Sequence, residues 1–159
     1  KMFLKIVNIK SKKLIGFSTS TSLTNDKTVE IWKKLMPRLK EIHNAVSADL
    51  FSLQVYEFES FKNFTPFTEF KKYALVEVKD FESIPEEFEK FELPAGKYAV
   101  FLHKGTTQDF IQTTQYIFGE WLPKSEYQLD DRPHFELLGD NYKGHENPES
   151  EEEVWIPVK

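Results

Sequence analysis

The stretch from Arg132 to Leu138, which reads RPHFELL, has the composition of a buried β-strand with an acid in its middle. Because side chains alternate across a strand, Phe135 and Leu137 face one side and Glu136 faces the other. An isolated ionised carboxylate on a mostly apolar face is costly or has a raised pKa, so it usually has a partner or a function. The alternative is an acid on an edge strand that faces water.

Length and composition indicate one globular domain over residues 1–159. Of the 159 residues 40% are hydrophobic, which is enough for one medium-sized core. The net charge of -5 disfavours direct binding to nucleic acid, and the lack of cysteine excludes disulfides and thiolate zinc sites. No apolar run approaches the roughly 20 residues of a membrane span, and no charged leader precedes an apolar stretch. We therefore expect a cytoplasmic protein without membrane association.

The first half of the chain predicts strands, a helix and a hairpin. Residues 2–21 are rich in Ile, Val, Leu, Phe and Thr, which predicts one long or two short strands. Apolar side chains recur at helical spacing from residue 29 to residue 42, and Pro37 predicts that this helix kinks or restarts. Residues 50–58 and 70–79 have strand composition and are separated by a turn signal, so we expect a hairpin.

The second half predicts the same order of elements. Residues 98–103 form a predicted strand, and a helix follows that begins with a capping box of Thr106 and Asp109 and ends at Pro123. Residues 132–138 and 153–158 are two further predicted strands, joined by an acidic loop.

Strand, helix, strand, strand thus occurs twice, which predicts an α+β fold of duplicated modules. The pseudo-repeats span residues 1–80 and 92–159, and the Glu-rich segment 81–91 is predicted to be a surface linker. The evidence is element order and spacing, because the two halves share little residue identity. We expect an antiparallel sheet with helices on one face and a ligand cleft between the halves.

The last strand is predicted to place an indole beside the acid. If Val154 and Ile156 pack under a helix together with Phe135, then Trp155 faces the same side as Glu136. A carboxylate beside an aromatic face attracts a cationic or polarised aromatic ligand, because the charge and the ring quadrupole act together. The alternative is that Trp155 packs over the sheet without contacting a ligand.

The duplication predicts that equivalent positions of the two halves meet near a pseudo-twofold axis. Trp32 and Phe110, near the starts of the two helices, are rough counterparts. Tyr56, which shares a strand face with Gln54, is the rough counterpart of Glu136. Trp32, Phe110 and Tyr56 are therefore further candidates for ligand contact, and ordinary core packing is the alternative for each.

The sequence predicts neither a metal nor a cofactor. The four histidines show no metal-binding spacing, and only His134 and Glu136, two residues apart on one strand, form a plausible pair. No glycine-rich phosphate loop and no serine nucleophile elbow occurs.

The second half resembles the GyrI-like domains, also called the AraC-type effector-binding family, in four segments. These are residues 94–105, residues 121–123 (WLP), residues 135–136 (FE) and residues 155–157 (WIP). The first half matches more loosely, through the helix of Trp32 and residues 53–56.

The resemblance implies duplicated modules around a cleft that binds lipophilic, often cationic, small molecules. It places Glu136 at the base of the cleft and Trp32, Phe110 and Trp155 among its aromatic side chains. Residues 137–138 are both Leu where relatives frequently have an aromatic residue, which leaves the ligand size open. Many relatives also carry a DNA-binding helix-turn-helix, for which 159 residues leave no room, so we expect a standalone form.

Three functions follow from this resemblance. The first is an effector-binding protein that holds a hydrophobic aromatic compound, cationic or neutral, with Glu136 as counter-charge. The alternative is a hydrolase of cyclopropane-bearing xenobiotics, in which Glu136 is a general acid or base and Tyr56 orients a water. The third is a protein interaction with a topoisomerase such as gyrase, through the acidic linker and the acidic residues 149–153.

Overall fold

The computed structural model describes residues 2–159, apart from the side chains of residues 58 and 62. Within these residues the strands form one eight-stranded antiparallel sheet. The strands are β1 (Phe3–Ile9), β2 (Lys12–Thr21), β3 (Ala45–Val55), β4 (Phe70–Val78), β5 (Glu89–Leu93), β6 (Gly96–Lys104), β7 (His134–Leu138) and β8 (Glu151–Pro157). The predicted strands at both ends of the chain and the predicted hairpin of β3 and β4 are therefore confirmed.

The strands lie in the order β1-β6-β8-β7-β3-β4-β2-β5. β7 and β3 form the centre, with three strands on either side. Each edge strand pairs with a strand that is distant in the chain, β1 with β6 and β5 with β2, so neither half of the sheet is complete without the other. The α+β class with an antiparallel sheet is confirmed, whereas the duplication of modules stays a prediction.

The first helical region has two parts. Helix α1 (Thr28–Leu35) is followed at once by a 3₁₀ segment (Met36–Glu41) with Pro37 in its first turn. Proline lacks the backbone donor that a continuing α-helix needs, so the helix restarts at Pro37, as the sequence predicts. Ile31 and Leu35 of α1 are buried against β2 and β4.

The second helical region begins at the predicted capping box. Thr106 Oγ1 accepts a hydrogen bond from Asp109 N, and Asp109 Oδ2 accepts one from Thr106 N, at the start of α2 (Thr107–Tyr116). The helix continues through a π-type turn (Ile117–Trp121) to a last turn (Leu122–Lys124), and Ile117 packs against β6 and β8. Over residues 2–159 no helix has both the length and the apolar character to cross a membrane.

The prediction of a surface linker over residues 81–91 is wrong for its last part. Phe88 is 8% exposed, and the centroid of its ring lies 4.8 Å from the ring of Phe17 and 4.8 Å from the guanidinium carbon of Arg38. β5 begins directly afterwards, at Glu89, and its last residue, Leu93, is fully buried. The acidic residues obscured this strand because β5 is an edge strand whose glutamates face solvent.

Candidate functional site

Glu136 lies at the centre of the sheet, on the face that the helices cover. Directly opposite residues of paired antiparallel strands share a face, and Glu136 pairs with Ser52 of β3 on one side and with Val154 of β8 on the other. The residues paired next to these across the sheet are apolar. They are Ala74 and Phe17 on the side of α1, and Phe101 on the side of the π-type turn. The acid therefore lies between two flanks that carry helices.

Two polar side chains from neighbouring strands contact the Glu136 carboxylate. Gln54 Nε2 donates a hydrogen bond to Oε1 at 2.8 Å, and Lys72 Nζ lies 3.6 Å from the same oxygen. The Lys72 and Glu136 side chains are only 9% and 12% exposed. Removing one member of such a buried ion pair typically costs about 3–5 kcal/mol, because the other charge is left uncompensated. The two charges therefore form a desolvated pair with no net charge.

A second acid, Glu152 of β8, shares this face. It lies two residues before Val154, on the same side of the strand, and pairs with His103 of β6. Burial and, to a lesser extent, the charge of Glu136 raise the pKa of Glu152, the charge of Lys72 opposes them, and the resulting pKa is about 7. Glu152 therefore exchanges its proton near neutral pH.

Lys72 and Glu152 were not among the residues that the sequence predicted for the site. Lys72 lies on the same strand face of β4 as Phe70, Ala74 and Val76, so it is a charged residue on an otherwise apolar face. That pattern is the signal that identifies it. Glu152 lies within the acidic residues 149–153, where nothing in the sequence separates a buried acid from solvated neighbours.

His134 lies on the same face of the sheet, opposite Gln54, and is surrounded by aromatic rings. Its ring is buried and stacks on Phe61 at a centroid distance of 5.3 Å, with Tyr56 edge-on at 5.1 Å and Phe118 at 6.3 Å. Burial and, to a lesser extent, the positive charge of Arg132 together lower the pKa of His134 to about 3. The imidazole is therefore neutral at neutral pH.

Tyr56 belongs to this aromatic cluster and follows Gln54 by two residues, so it lies on the same face of the sheet as Glu136. Burial raises the pKa of the Tyr56 hydroxyl far above its usual range, and the negative charge of Glu136 adds to the effect. The hydroxyl is therefore protonated at neutral pH and available as a hydrogen-bond donor. The structure brings Tyr56 and Gln54 to the Glu136 side of the sheet, and the role of Tyr56 in ligand contact or catalysis stays a prediction.

Trp155 lies on the face opposite to Glu136, so the prediction that they share a surface is wrong. Trp155 pairs with Phe135, and the two rings stack at 5.1 Å in a core that also contains Tyr98. Its Nε1 donates a hydrogen bond to Glu153 Oε1 at 3.0 Å. Both faces of the sheet are apolar at this position, so alternation along the strand did not reveal which face the helices cover.

Trp32 and Phe110 lie at the flanks of the helix-covered face. Trp32 packs at the margin of the α1 cluster, and Phe110 packs at the margin of the α2 cluster, edge-on to His103 at 5.0 Å. Both side chains are half-buried. Their contact with a ligand stays a prediction.

Glu136 lies outside two surface pockets of the domain. These pockets, of about 620 and 500 Å³, are lined by residues 143–148 and by residues near Trp121 and Tyr127. No three His, Asp or Glu side chains of residues 2–159 converge on a point where they would hold a metal ion.

A buried acid on the helix-covered face of an eight-stranded antiparallel sheet is thus the central feature of this α+β domain. Residues 2–159 match the model of the GyrI-like small molecule binding domain. The chain belongs to this family.

A curated relative is similar over nearly the whole of this chain. The transcriptional regulator BrlR of Pseudomonas aeruginosa is 28% identical over 161 aligned residues, which cover 99% of this chain and 56% of BrlR. The chain therefore spans about half the length of this curated relative.

Two solved structures share the fold. A putative bacterial transcription regulation protein from Staphylococcus aureus MU50 has a TM-score of 0.70 and 16% identity, over 99% of this chain and 97% of that chain. SAV2435 bound to tetraphenylphosphonium has a TM-score of 0.69 and 17% identity, over 99% of this chain and 93% of that chain. At these identities the likeness shows the fold alone.

Proposed function

We propose that this small-molecule-binding domain takes a hydrophobic, aromatic, cationic compound on the floor formed by Glu136, Gln54, Tyr56 and His134. The observation that carries the proposal is the desolvated Glu136 carboxylate at the centre of the sheet, beside a cluster of aromatic rings. In a water-poor site a carboxylate attracts a cation much more strongly than in water, and ring faces add to that attraction.

The arrangement of the aromatic cluster suggests how a ligand enters. Phe61, from the segment that joins β3 and β4, stacks on His134 and also approaches Phe118, which follows α2, at 6.4 Å. An aromatic ring of a ligand can take the place of the Phe61 ring in this stack. SAV2435, which shares the fold, is seen with tetraphenylphosphonium, a cation of aromatic rings, and this supports the proposed class of ligand.

Isothermal titration calorimetry with tetraphenylphosphonium at pH 8 tests the proposal. We expect the parent to bind, and Glu136→Gln to bind at least about tenfold more weakly, because it leaves Lys72 as an uncompensated cation. Glu151→Gln is the matched control, because Glu151 lies on the same strand as Glu152 but faces the other side of the sheet. If the parent and Glu136→Gln bind the cation with equal affinity, the Glu136 charge has no role in binding. If the parent binds none of a panel of aromatic cations, the proposed function is wrong.

Hydrolysis of a strained electrophile is a second candidate function, favoured by the proton-exchanging Glu152 beside Glu136. A carboxyl whose pKa lies near 7 is suited to act as general acid or base, and the protonated Tyr56 hydroxyl can orient a water. In this reaction water adds across a cyclopropane carbon–carbon bond, with the hydroxyl and the proton on the two separated carbons. Mass spectrometry of a cyclopropane-bearing alkylating compound after incubation detects the adduct, and turnover that survives both Glu136→Gln and Glu152→Gln excludes these acids from the reaction.

A further inference from the structure

Three charged groups share the floor on which the ligand is proposed to bind. Lys72 and Glu136 form an ion pair at 3.6 Å, and both side chains are about nine-tenths buried. Glu152 lies on the same face of the adjacent strand β8, within electrostatic reach of both. Because the first two charges cancel, the net charge of the floor depends on Glu152.

We propose that Lys72 and Glu152 select the charge of the ligand: Lys72 neutralises Glu136, and ionised Glu152 supplies the single negative charge that a monovalent organic cation balances. This inference rests on the proposed function, because it concerns the same floor. It assigns the net negative charge of the site to Glu152, while Glu136 supports cation binding by compensating the charge of Lys72, which would otherwise repel the ligand.

The groups that face Glu152 are few, which makes its ionisation the decisive variable. They are Glu136 from β7, Lys72 from β4, His103 from β6 and Tyr142 from the loop before β8. Burial and the charge of Glu152 raise the pKa of Tyr142, so this phenol is uncharged at neutral pH. On β8 itself, Glu151 and Glu153 face the other side of the sheet.

Hydrogen bonds occupy both ring nitrogens of His103. Nδ1 lies 2.7 Å from the Thr113 hydroxyl, and Nε2 lies 3.1 Å from the Thr106 carbonyl oxygen, which only accepts. Nε2 therefore carries the proton and donates it to this carbonyl. Neither nitrogen is available to form a hydrogen bond with Glu152.

The consequence is a binding reaction coupled to proton release. Since burial and the charge of Glu136 raise the pKa of Glu152 to about 7, the floor is close to neutral in acid and carries about one negative charge in base. A bound cation favours the ionised carboxyl and lowers its pKa, so binding releases a proton wherever Glu152 is protonated beforehand. Affinity for a cation then rises with pH and levels off above about pH 8.

Calorimetry with tetraphenylphosphonium between pH 5.5 and 8.5 tests the coupling, since this cation has no ionisable group. For the parent we expect affinity to rise by up to about tenfold per pH unit below pH 7, with about half a proton released per cation at pH 7 in buffers of different ionisation enthalpy. Glu152→Gln, which imitates the protonated acid, is expected to bind weakly, without pH dependence and without proton release. Glu151→Gln is expected to behave as the parent.

Two further measurements complete the test. The neutral compound triphenylphosphine oxide is expected to bind without pH dependence, and Lys72→Met is expected to bind the cation more tightly than the parent at pH 6. Circular dichroism checks that Lys72→Met folds, and if it does not, the Glu152→Gln comparison decides alone. Cation binding that is independent of pH in both the parent and Glu152→Gln overturns this inference but leaves the proposed function intact. No cation binding at any pH overturns both.

Discussion

Acid is predicted to unfold this protein through the buried imidazole of His134. The pKa of His134 in the folded protein, about 3, lies about 3.5 below its ordinary value of 6.5, because the ring is desolvated among aromatic side chains. Each pKa unit corresponds to about 1.36 kcal/mol, so charging this ring in the folded state costs on the order of 5 kcal/mol.

The sign follows from proton uptake by the two states. Below pH 6.5 the unfolded chain binds a proton on His134 that the folded protein does not bind, so the free energy of unfolding falls as pH drops from 6.5 toward 3. Above pH 6.5 the residue contributes no pH dependence. Since domains are stable by only about 5–15 kcal/mol, this single group accounts for a large share of the stability lost in acid.

His134→Gln isolates the effect, because glutamine is polar but does not ionise. Urea unfolding of parent and variant at pH 7.5 and pH 4.5 gives the two free energies of unfolding. Packing losses affect the variant at both pH values, so the informative quantity is the change with pH, which is expected to be about 2–3 kcal/mol smaller in the variant. His145→Gln is the control, since the His145 side chain is 63% exposed. If parent and His134→Gln lose the same stability between pH 7.5 and pH 4.5, the assignment of a buried neutral imidazole is wrong.

Two backbone features give further predictions for urea unfolding at pH 7.5. Gly16→Ala is expected to lower the free energy of unfolding by more than about 3 kcal/mol, because a Cβ there overlaps the carbonyl oxygen of Ala74 on the neighbouring strand. In the π-type turn, a Cβ at Gly119 meets no atom within 4 Å. Gly119→Ala is therefore expected to be neutral or stabilising by up to about 1 kcal/mol. The opposite order of these two variants contradicts the strand register. Thr106→Ala removes half of the capping box and is expected to cost about 1 kcal/mol, and an unchanged midpoint means that the box contributes nothing to stability.

Elements with strong local signals were predictable from the sequence. The restart at Pro37 and the capping box of Thr106 and Asp109 depend on backbone chemistry within one turn, and both occur as predicted. β5 was missed because its stability comes from pairing with β2, which lies far away in the chain, and from two apolar side chains among glutamates.

The candidate site was predictable in its centre but not in its charge balance. Glu136 and Tyr56 were identified as candidates, because an acid on a buried strand and an aromatic residue in the first hairpin are visible in a single segment. The pairing of Lys72 with Glu136 joins β4 to β7 across the intervening β3, so no single segment reveals it. Trp155 was placed on the wrong face because the strand has apolar side chains on both sides, and only the register with Phe135 fixes its direction.

The strand order explains why polar residues are tolerated at the middle of this face. α1 packs on β2 and β4 and α2 packs on β6, so the apolar side chains of the helices cover the flanking strands of the sheet. Along one row the flanks are apolar, at Ala74 and Val154, whereas the central pair is Ser52 and Glu136. Replacing a buried ion pair by apolar residues of similar size is often neutral or stabilising, so the fold does not require charge here. Since the fold does not need a lysine and two acids at this position, the proposed binding of a charged ligand gives these residues a function that packing does not.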